Sequence, residues 1–359
     1  MNEPERIESV IVRVDGSRDI GHGHIFRTLV LADALAAGGA RVTFLCSDLP
    51  GAPLERVRER GHALVVIPEK MSDSEEINSI RKVGSEQGKQ WLVVDRYAST
   101  PDFYRAARAD RFRVLAIDDI AEHPYPVDIL MNQNIDAGAL TYAVDPETRC
   151  LLGPEFSLIA PAYREARPAE PPTLERAQRV LLFMGGGDSV NATGTVLAAI
   201  DAIEPSADSP LDIQVVVGGG SQFAGRVREQ AARHRHNVRV GQNLSDLVGV
   251  MHAADVCICA GGSTVWELCC LGLPMAWLTI AENQRGIAAG LARAGCGIAL
   301  GDFSDATPAG LSRSLADWFQ GDAGSLRDQA AAAWNIVDGH GVERVIASMQ
   351  QTLRYAVQP

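Results

Sequence analysis

Short apolar runs rich in β-branched residues alternate along this chain with longer segments of helical spacing. Ser9 to Asp15 reads as a strand, and Gly23 to Gly39 carries apolar residues at helical spacing up to a glycine stop. Ala40 to Ser47 is the next strand, followed by a helix from Pro53 to Arg60 and strands at Ala63 to Pro68 and Trp91 to Asp95. Arg113 to Asp119, Asp128 to Asn134 and Arg149 to Pro154 complete the first half. Alternation of this kind implies βαβ units and a parallel sheet. Pro161 to Gln178 is rich in proline and charge and breaks the pattern, which places a linker there. The pattern then restarts with Arg179 to Asp188, a helix around Thr193 to Ile203, and strands at Ile213 to Gly220, Asn237 to Gly241, Asp255 to Gly262 and Pro274 to Ile280. Arg327 to Tyr355 reads as helical with a break at Asp338 to Gly341. A chain of 359 residues suits two domains at roughly 150 residues each. The reading is two Rossmann-like α/β domains, residues 1–165 and 175–335, with a cleft between them and a last helix at 340–357.

Charge narrows the partners. The chain has 33 Lys+Arg against 45 Asp+Glu, a net charge of −12, and no basic block. Nucleic acid and anionic membrane surfaces are therefore poor partners. An anionic small molecule remains possible, because backbone amides at helix N-termini bind anions without net charge. The seven cysteines are odd in number and form no paired CxxC pattern, and Cys257 and Cys259 alternate within an apolar run. Buried strand thiols are expected, with no metal and no cofactor. The opening MNEPERIESV lacks an apolar signal region, and no run of 18 apolar residues occurs. A reduced, cytoplasmic protein without a membrane span is expected; oligomeric state is not readable.

Five motifs carry chemistry. IGHGH, Ile20 to His24, lies between a strand and a helix, where Gly21 and Gly23 allow a tight turn. His24 can serve there as a general base, or it can simply cap or pack. VVDRYAS, Val93 to Ser99, sets Asp95 and Tyr97 after a buried strand; Tyr97 can contact a substrate ring or orient a water, but ordinary core or rim residues are the preferred reading from the motif alone. MGGGDSVN, Met184 to Asn191, places Gly186 in a loop whose amides can form an anion nest, or which is a tight turn without ligand, with Ser189 and Asn191 available as caps. AGGSTVWELCCLGLP, Ala260 to Pro274, offers Gly262, Ser263, Thr264 and a helix N-terminus to a diphosphate. Glu267 in its first turn can accept both hydrogen bonds of a ribose diol, or can complement the helix dipole. IAENQ, Ile280 to Gln284, supplies the neutral amides of Asn283 and Gln284, suited to sugar hydroxyl or acetamido groups, or else Glu282 or Asn283 simply caps a helix. Asp118 and Asp119 follow an apolar strand, where a structural or capping role is preferred to a metal site.

These motifs occur in one order, together with Arg27, MNQN, LLGPEFSLIAPAYREAR and DGHG. The combination resembles the UDP-2,4-diacetamido-2,4,6-trideoxy-β-L-altropyranose hydrolase family of the pseudaminic acid pathway. That family is related in fold to the GT-B glycosyltransferases, including the one that makes peptidoglycan lipid II. The resemblance implies a GT-B-like fold and a last helix that returns to the N-terminal domain. It implies hydrolysis of a UDP-linked diacetamido-trideoxyhexose at the anomeric carbon, with water as acceptor. By position, His24, Tyr97 and Asn283 match the catalytic residues and Glu267 the ribose-binding glutamate. Gly23, Arg27, Gly186, Gly262, Ser263, Thr264 and Gln284 are expected at the substrate or UDP. His22 stands where an aromatic residue is expected, and Gly187 where many members have serine. A GT-B glycosyltransferase and an inactive nucleotide-sugar-binding protein are the alternatives.

Overall fold

A computed structural model describes residues 6–17, 20–84, 90–205, 210–219, 221–242, 244 and 246–355. Gly220 of the glycine turn after Ile213, and residues 356–357 of the last helix as expected above, lie outside the described residues. The chain divides into two compact units, Met1–Ile159 with His340–Pro359, and Ala160–Gly339.

The first unit holds β1 (Ser9–Val14), β2 (Arg41–Ser47), β3 (Ala63–Ile67), β4 (Gln90–Asp95), β5 (Phe112–Ile117), β6 (Ile129–Asn132) and β7 (Arg149–Leu152). They form, among the described residues, a parallel sheet in the order β3-β2-β1-β4-β5-β6-β7. Both faces are covered, which is why the strands read as continuous apolar runs. On one face Val10, Val12, Phe44, Trp91 and Val93 pack with Ile25, Leu29 and Leu35 of the helix Gly23–Ala37. Val345 and Met349 of the helix Gly341–Tyr355 join that same core fully buried, each contributing about 1.5–3 kcal/mol. On the other face Ile11, Leu45, Leu92, Val94 and Val114 pack with Ile77, Ile80 and Phe103.

The second unit repeats the plan with β8 (Arg179–Phe183), β9 (Asp212–Val217), β10 (Asn237–Gln242), β11 (Val256–Ala260), β12 (Met275–Thr279) and β13 (Gly297–Asp302). Their order is β10-β9-β8-β11-β12-β13, all parallel. Periodicity misses β13, because Gly297 and Gly301 interrupt its apolar run. The strand order of each sheet reverses once, between β1 and β4 in the first and between β8 and β11 in the second. Ligands of open α/β sheets bind beyond the strand C-termini at such switch points. The segments following β1, β4, β8 and β11 are those that carry four of the five motifs.

The proline-rich segment from Pro161 is not all connection. Pro161–Ala166 is helical and lies in the second unit. Pro161 opens the helix, where a missing N–H goes unnoticed. Tyr163 is buried. Arg167 donates to the carbonyls of Cys270, Trp334 and Val337 and stacks 3.9 Å over the Trp334 ring. These contacts fix the segment to its unit. No helix among the described residues is long and apolar enough to cross a membrane.

Candidate active site

In the first unit the helix Gly23–Ala37 begins directly after the turn that follows β1. Gly21 adopts φ +91°, a conformation that glycine takes without cost. The turn sets His24 and Arg27 one helical turn apart, so both reach the end of β4. His24 Nδ1 is 2.7 Å from Asp95 Oδ1. Arg27 donates from Nε to Asp95 Oδ2 at 2.6 Å and from Nη2 to Asp95 Oδ1 at 2.7 Å. Its other edge donates from Nη1 and Nη2 to Asp119 at 3.0 and 2.9 Å. Asp119 also accepts from the Tyr97 hydroxyl at 2.9 Å and from Asn134 Nδ2 at 3.0 Å. The Tyr97 ring meets His24 edge-on, 5.0 Å between centroids at 89°.

His24, Arg27 and Asp95 are buried, and Tyr97 is half-buried. Burial alone would push both carboxyls up. The Arg27 guanidinium outweighs it and holds Asp95 and Asp119 below the usual carboxylate range, with His24 adding to the effect. Arg27 is held above its ordinary value because Asp119 and Asp95 outweigh burial. With Asp95 ionised, His24 Nδ1 carries the proton and donates, so Nε2 is left as an acceptor. The guanidinium of Arg27 bridges the two carboxylates.

His22 lies apart, with Nε2 3.0 Å from the Gly51 carbonyl oxygen. Burial disfavours its charged form. Of the Asp118–Asp119 pair, Asp118 has the structural role: it accepts from the amides of Ile120 and Ala121 and from the hydroxyls of Tyr125 and Tyr142. Asp119 faces the other way, into the histidine cluster. Asp95, Asp119 and Asn134 join the cluster of His24, Arg27 and Tyr97, a place the sequence reading above does not give them. The aspartates do stand at strand ends, which is the signal that was available.

In the second unit the loop after β8 packs against the end of β9. A Cβ on Gly218 would stand 2.0 Å from the Gly186 carbonyl oxygen, so this approach requires glycine. The cap of the following helix, Ala192–Asp201, is Asp188 and not Ser189 or Asn191. Its carboxylate accepts from the amides of Ala192 and Thr193 at 2.7 and 3.1 Å, because Asn191 sits at φ +58° and makes no side-chain cap. Those two amides are therefore already satisfied. Burial raises the Asp188 carboxyl despite them.

The helix Thr264–Leu271 follows β11, with Ser263 at its N-cap making no side-chain cap bond. Gln284 folds back to this loop, its Oε1 accepting from the Ile280 amide at 3.0 Å. Its side chain lies against Gly261 and Gly262. Asn283 is exposed beside it. Glu267 keeps a face open to solvent, yet its carboxyl is crowded by protein; burial pushes it up to about 7, and the Tyr163 hydroxyl opposes that shift. Gly262, Ser263, Thr264, Glu267 and Gln284 thus share one end of β11 and β12.

Residues 180–339 match the glycosyltransferase family 28 C-terminal domain. The chain is 30% identical to the spore coat polysaccharide biosynthesis protein SpsG of Bacillus subtilis, over 44% of this chain and 45% of that protein. It spans about half the length of two relatives, that one and an uncharacterized protein of Methanocaldococcus jannaschii, of which it covers 56%. It is 25% identical to the UDP-2,4-diacetamido-2,4,6-trideoxy-β-L-altropyranose hydrolase of Campylobacter jejuni, over 80% of this chain and 97% of that one. Among solved structures, MurG of Acinetobacter baumannii superposes with a TM-score of 0.66 at 16% identity, covering 96% of this chain and 99% of that one. The fold is GT-B-like, with two Rossmann-like α/β domains.

Proposed function

We propose that this protein hydrolyses a UDP-linked 2,4-diacetamido-2,4,6-trideoxyhexose at its anomeric carbon, releasing UDP and free sugar for nonulosonic acid synthesis of the pseudaminic type. The observation that carries the reading is the His24–Asp95 pair: Nδ1 lies 2.7 Å from Asp95 Oδ1, and an ionised Asp95 makes Nδ1 the donor and leaves Nε2 to accept a proton. Water attacks C1 as His24 Nε2 takes its proton, and the C1–O bond to the diphosphate breaks. The electron pair leaves with UDP, and the imidazolium later returns its proton to solvent. UDP leaves as a stabilised anion, so a strong general acid is not needed. Tyr97 forms a wall beside the base, with its hydroxyl held by Asp119.

In the second unit Gly186, Gly262, Ser263 and Thr264 hold the diphosphate, and Glu267 accepts the ribose diol. Asn283 and Gln284 take the acetamido or hydroxyl groups of the sugar. The likeness to the Campylobacter hydrolase across most of both chains supports this assignment. The cytoplasm is the compartment proposed, and no metal or cofactor takes part.

A second reading has support of equal weight. The family 28 C-terminal domain match and the GT-B-like fold suit a glycosyltransferase that uses a UDP-sugar donor and a sugar or lipid acceptor. Incubating the pure protein with a panel of nucleotide sugars and no acceptor separates the two. Hydrolysis requires UDP release from one member of the panel. Release that begins only after an acceptor is added supports the transferase instead.

A further inference from the structure

Asp119 has no part in the chemistry given to His24, yet its side chain is nearly enclosed and makes four hydrogen bonds. Oδ1 accepts from Arg27 Nη1 and Asn134 Nδ2, both at 3.0 Å; Oδ2 accepts from Arg27 Nη2 and Tyr97 Oη, both at 2.9 Å. The side chain is 7% exposed, as is that of Arg27. A buried carboxylate is expensive to keep unless it is paired and hydrogen-bonded, as Asp119 is.

The charges in the cluster suggest a use for that carboxylate. Asp95 and Asp119 are negative and Arg27 is positive, so the resting cluster carries one net negative charge. A proton taken up by His24 brings it to zero. Without Asp119, Arg27 would cancel Asp95, and the same proton would leave an uncompensated positive charge in a buried site. The groups facing the imidazole are Asp95 from β4, Arg27 from its own helix, Tyr97 after β4 and Asp119 after β5. Asp118 directs its bonds to Tyr125, Tyr142 and two amides.

We propose that Asp119 is a positioning residue for the base: it supplies the negative charge that allows buried His24 to accept a proton, and it holds Tyr97 against the imidazole edge. This rests on the reading of His24 as the base. The Asp119–Arg27–Asp95 bridge then acts as one unit, in which Arg27 aligns both carboxylates and Asp119 sets the net charge.

The test is an NMR titration of the His24 imidazole with ¹⁵N-labelled histidine in wild type, Asp119→Asn and Asp119→Glu, alongside kcat/KM against pH. In Asp119→Asn the titration midpoint falls by on the order of one pH unit. The acid limb of kcat/KM falls with it, and Asp119→Glu restores both. A midpoint that stays in place or rises in Asp119→Asn overturns the proposal, as does a shifted midpoint that the rate profile does not follow. A shifted midpoint in a protein that hydrolyses no nucleotide sugar would overturn the proposed function and leave the charge role standing. The double variant Arg27→Gln with Asp119→Asn provides a test if the single variant fails to fold. It buries fewer ions at the original net charge, so its midpoint returns toward the wild-type value. A double variant with a midpoint a full unit below wild type contradicts the charge count.

Discussion

Asp95 accepts a hydrogen bond from His24 Nδ1 at 2.7 Å, although 71 residues separate them. The sheet order brings them together. β1 and β4 are parallel neighbours, and Val14 at the end of one is in register with Asp95 at the end of the other. The helix that follows β1 therefore starts beside the last residue of β4. An ionised Asp95 selects the Nδ1–H tautomer, and the basic nitrogen is then Nε2.

His24→Ala should lower turnover by about 10²–10⁴-fold while UDP still binds. Steady-state rates with calorimetric UDP binding check this. A variant that keeps wild-type turnover removes His24 from the chemistry, and one that loses UDP binding as well points to a collapsed fold.

Arg27→Ala should destabilise the first unit by about 3–5 kcal/mol, because two buried carboxylates lose their shared cation. Arg27→Lys keeps the charge and loses the two-edged fork, so its stability should lie between. Denaturant unfolding at pH 7 measures both. Equal stability of Arg27→Ala and wild type would mean that the bridge contributes nothing.

The cluster shows where sequence reading runs out. Parallel βαβ units were legible because both sheet faces are covered and the strands read as unbroken apolar runs. The turn at Gly21 and the loop at Gly261–Gly262 were legible because the glycines mark strand ends. Strand order is not encoded in periodicity, and the meeting of Arg27 with Asp119 depends on β1, β4 and β5 lying side by side. Asp119 was therefore indistinguishable from its neighbour Asp118. The capping box at Ser72 and Glu75, a serine three residues before a glutamate, marks in the sequence the start of the helix Asp73–Val83. Tyr163 sat in a proline-rich stretch whose composition resembles a linker, and its burial against Glu267 depends on tertiary packing alone.

Glu267 gives a pH dependence of definite sign. Burial pushes its carboxyl from 4.5 up to about 7 in the folded protein, against the opposing Tyr163 bond. Between those values the folded state holds more protons than the unfolded, so this group's contribution to stability falls as pH rises from 4.5 to about 7. Glu267→Gln lacks that slope. Its stability relative to wild type should therefore rise across this window and level off above it, as followed by urea unfolding at several pH values. UDP binding should move the opposite way in wild type, strengthening as the carboxylate forms through pH 7, because the ribose diol needs an acceptor. Affinity that is flat across the window contradicts the ribose role.

Arg167→Ala should cost the second unit about 2–4 kcal/mol, since three carbonyls lose a charged donor and Trp334 loses its stacking partner. Thermal unfolding measures it. Turnover at a temperature where the variant stays folded should be near wild type, because the contact lies in the scaffold. A large loss of kcat in the folded variant would assign Arg167 to the site.

In the proposed reaction water is the acceptor, and it attacks the anomeric carbon. The direct test is turnover of the UDP-linked diacetamido-trideoxyhexose in H₂¹⁸O without any sugar or lipid acceptor, with mass spectrometry of both products at early times. Hydrolysis at C1 gives stoichiometric UDP release with one ¹⁸O in the free sugar and none in UDP. Label in UDP would show attack at phosphorus, and absence of UDP release would show that the protein is not this hydrolase.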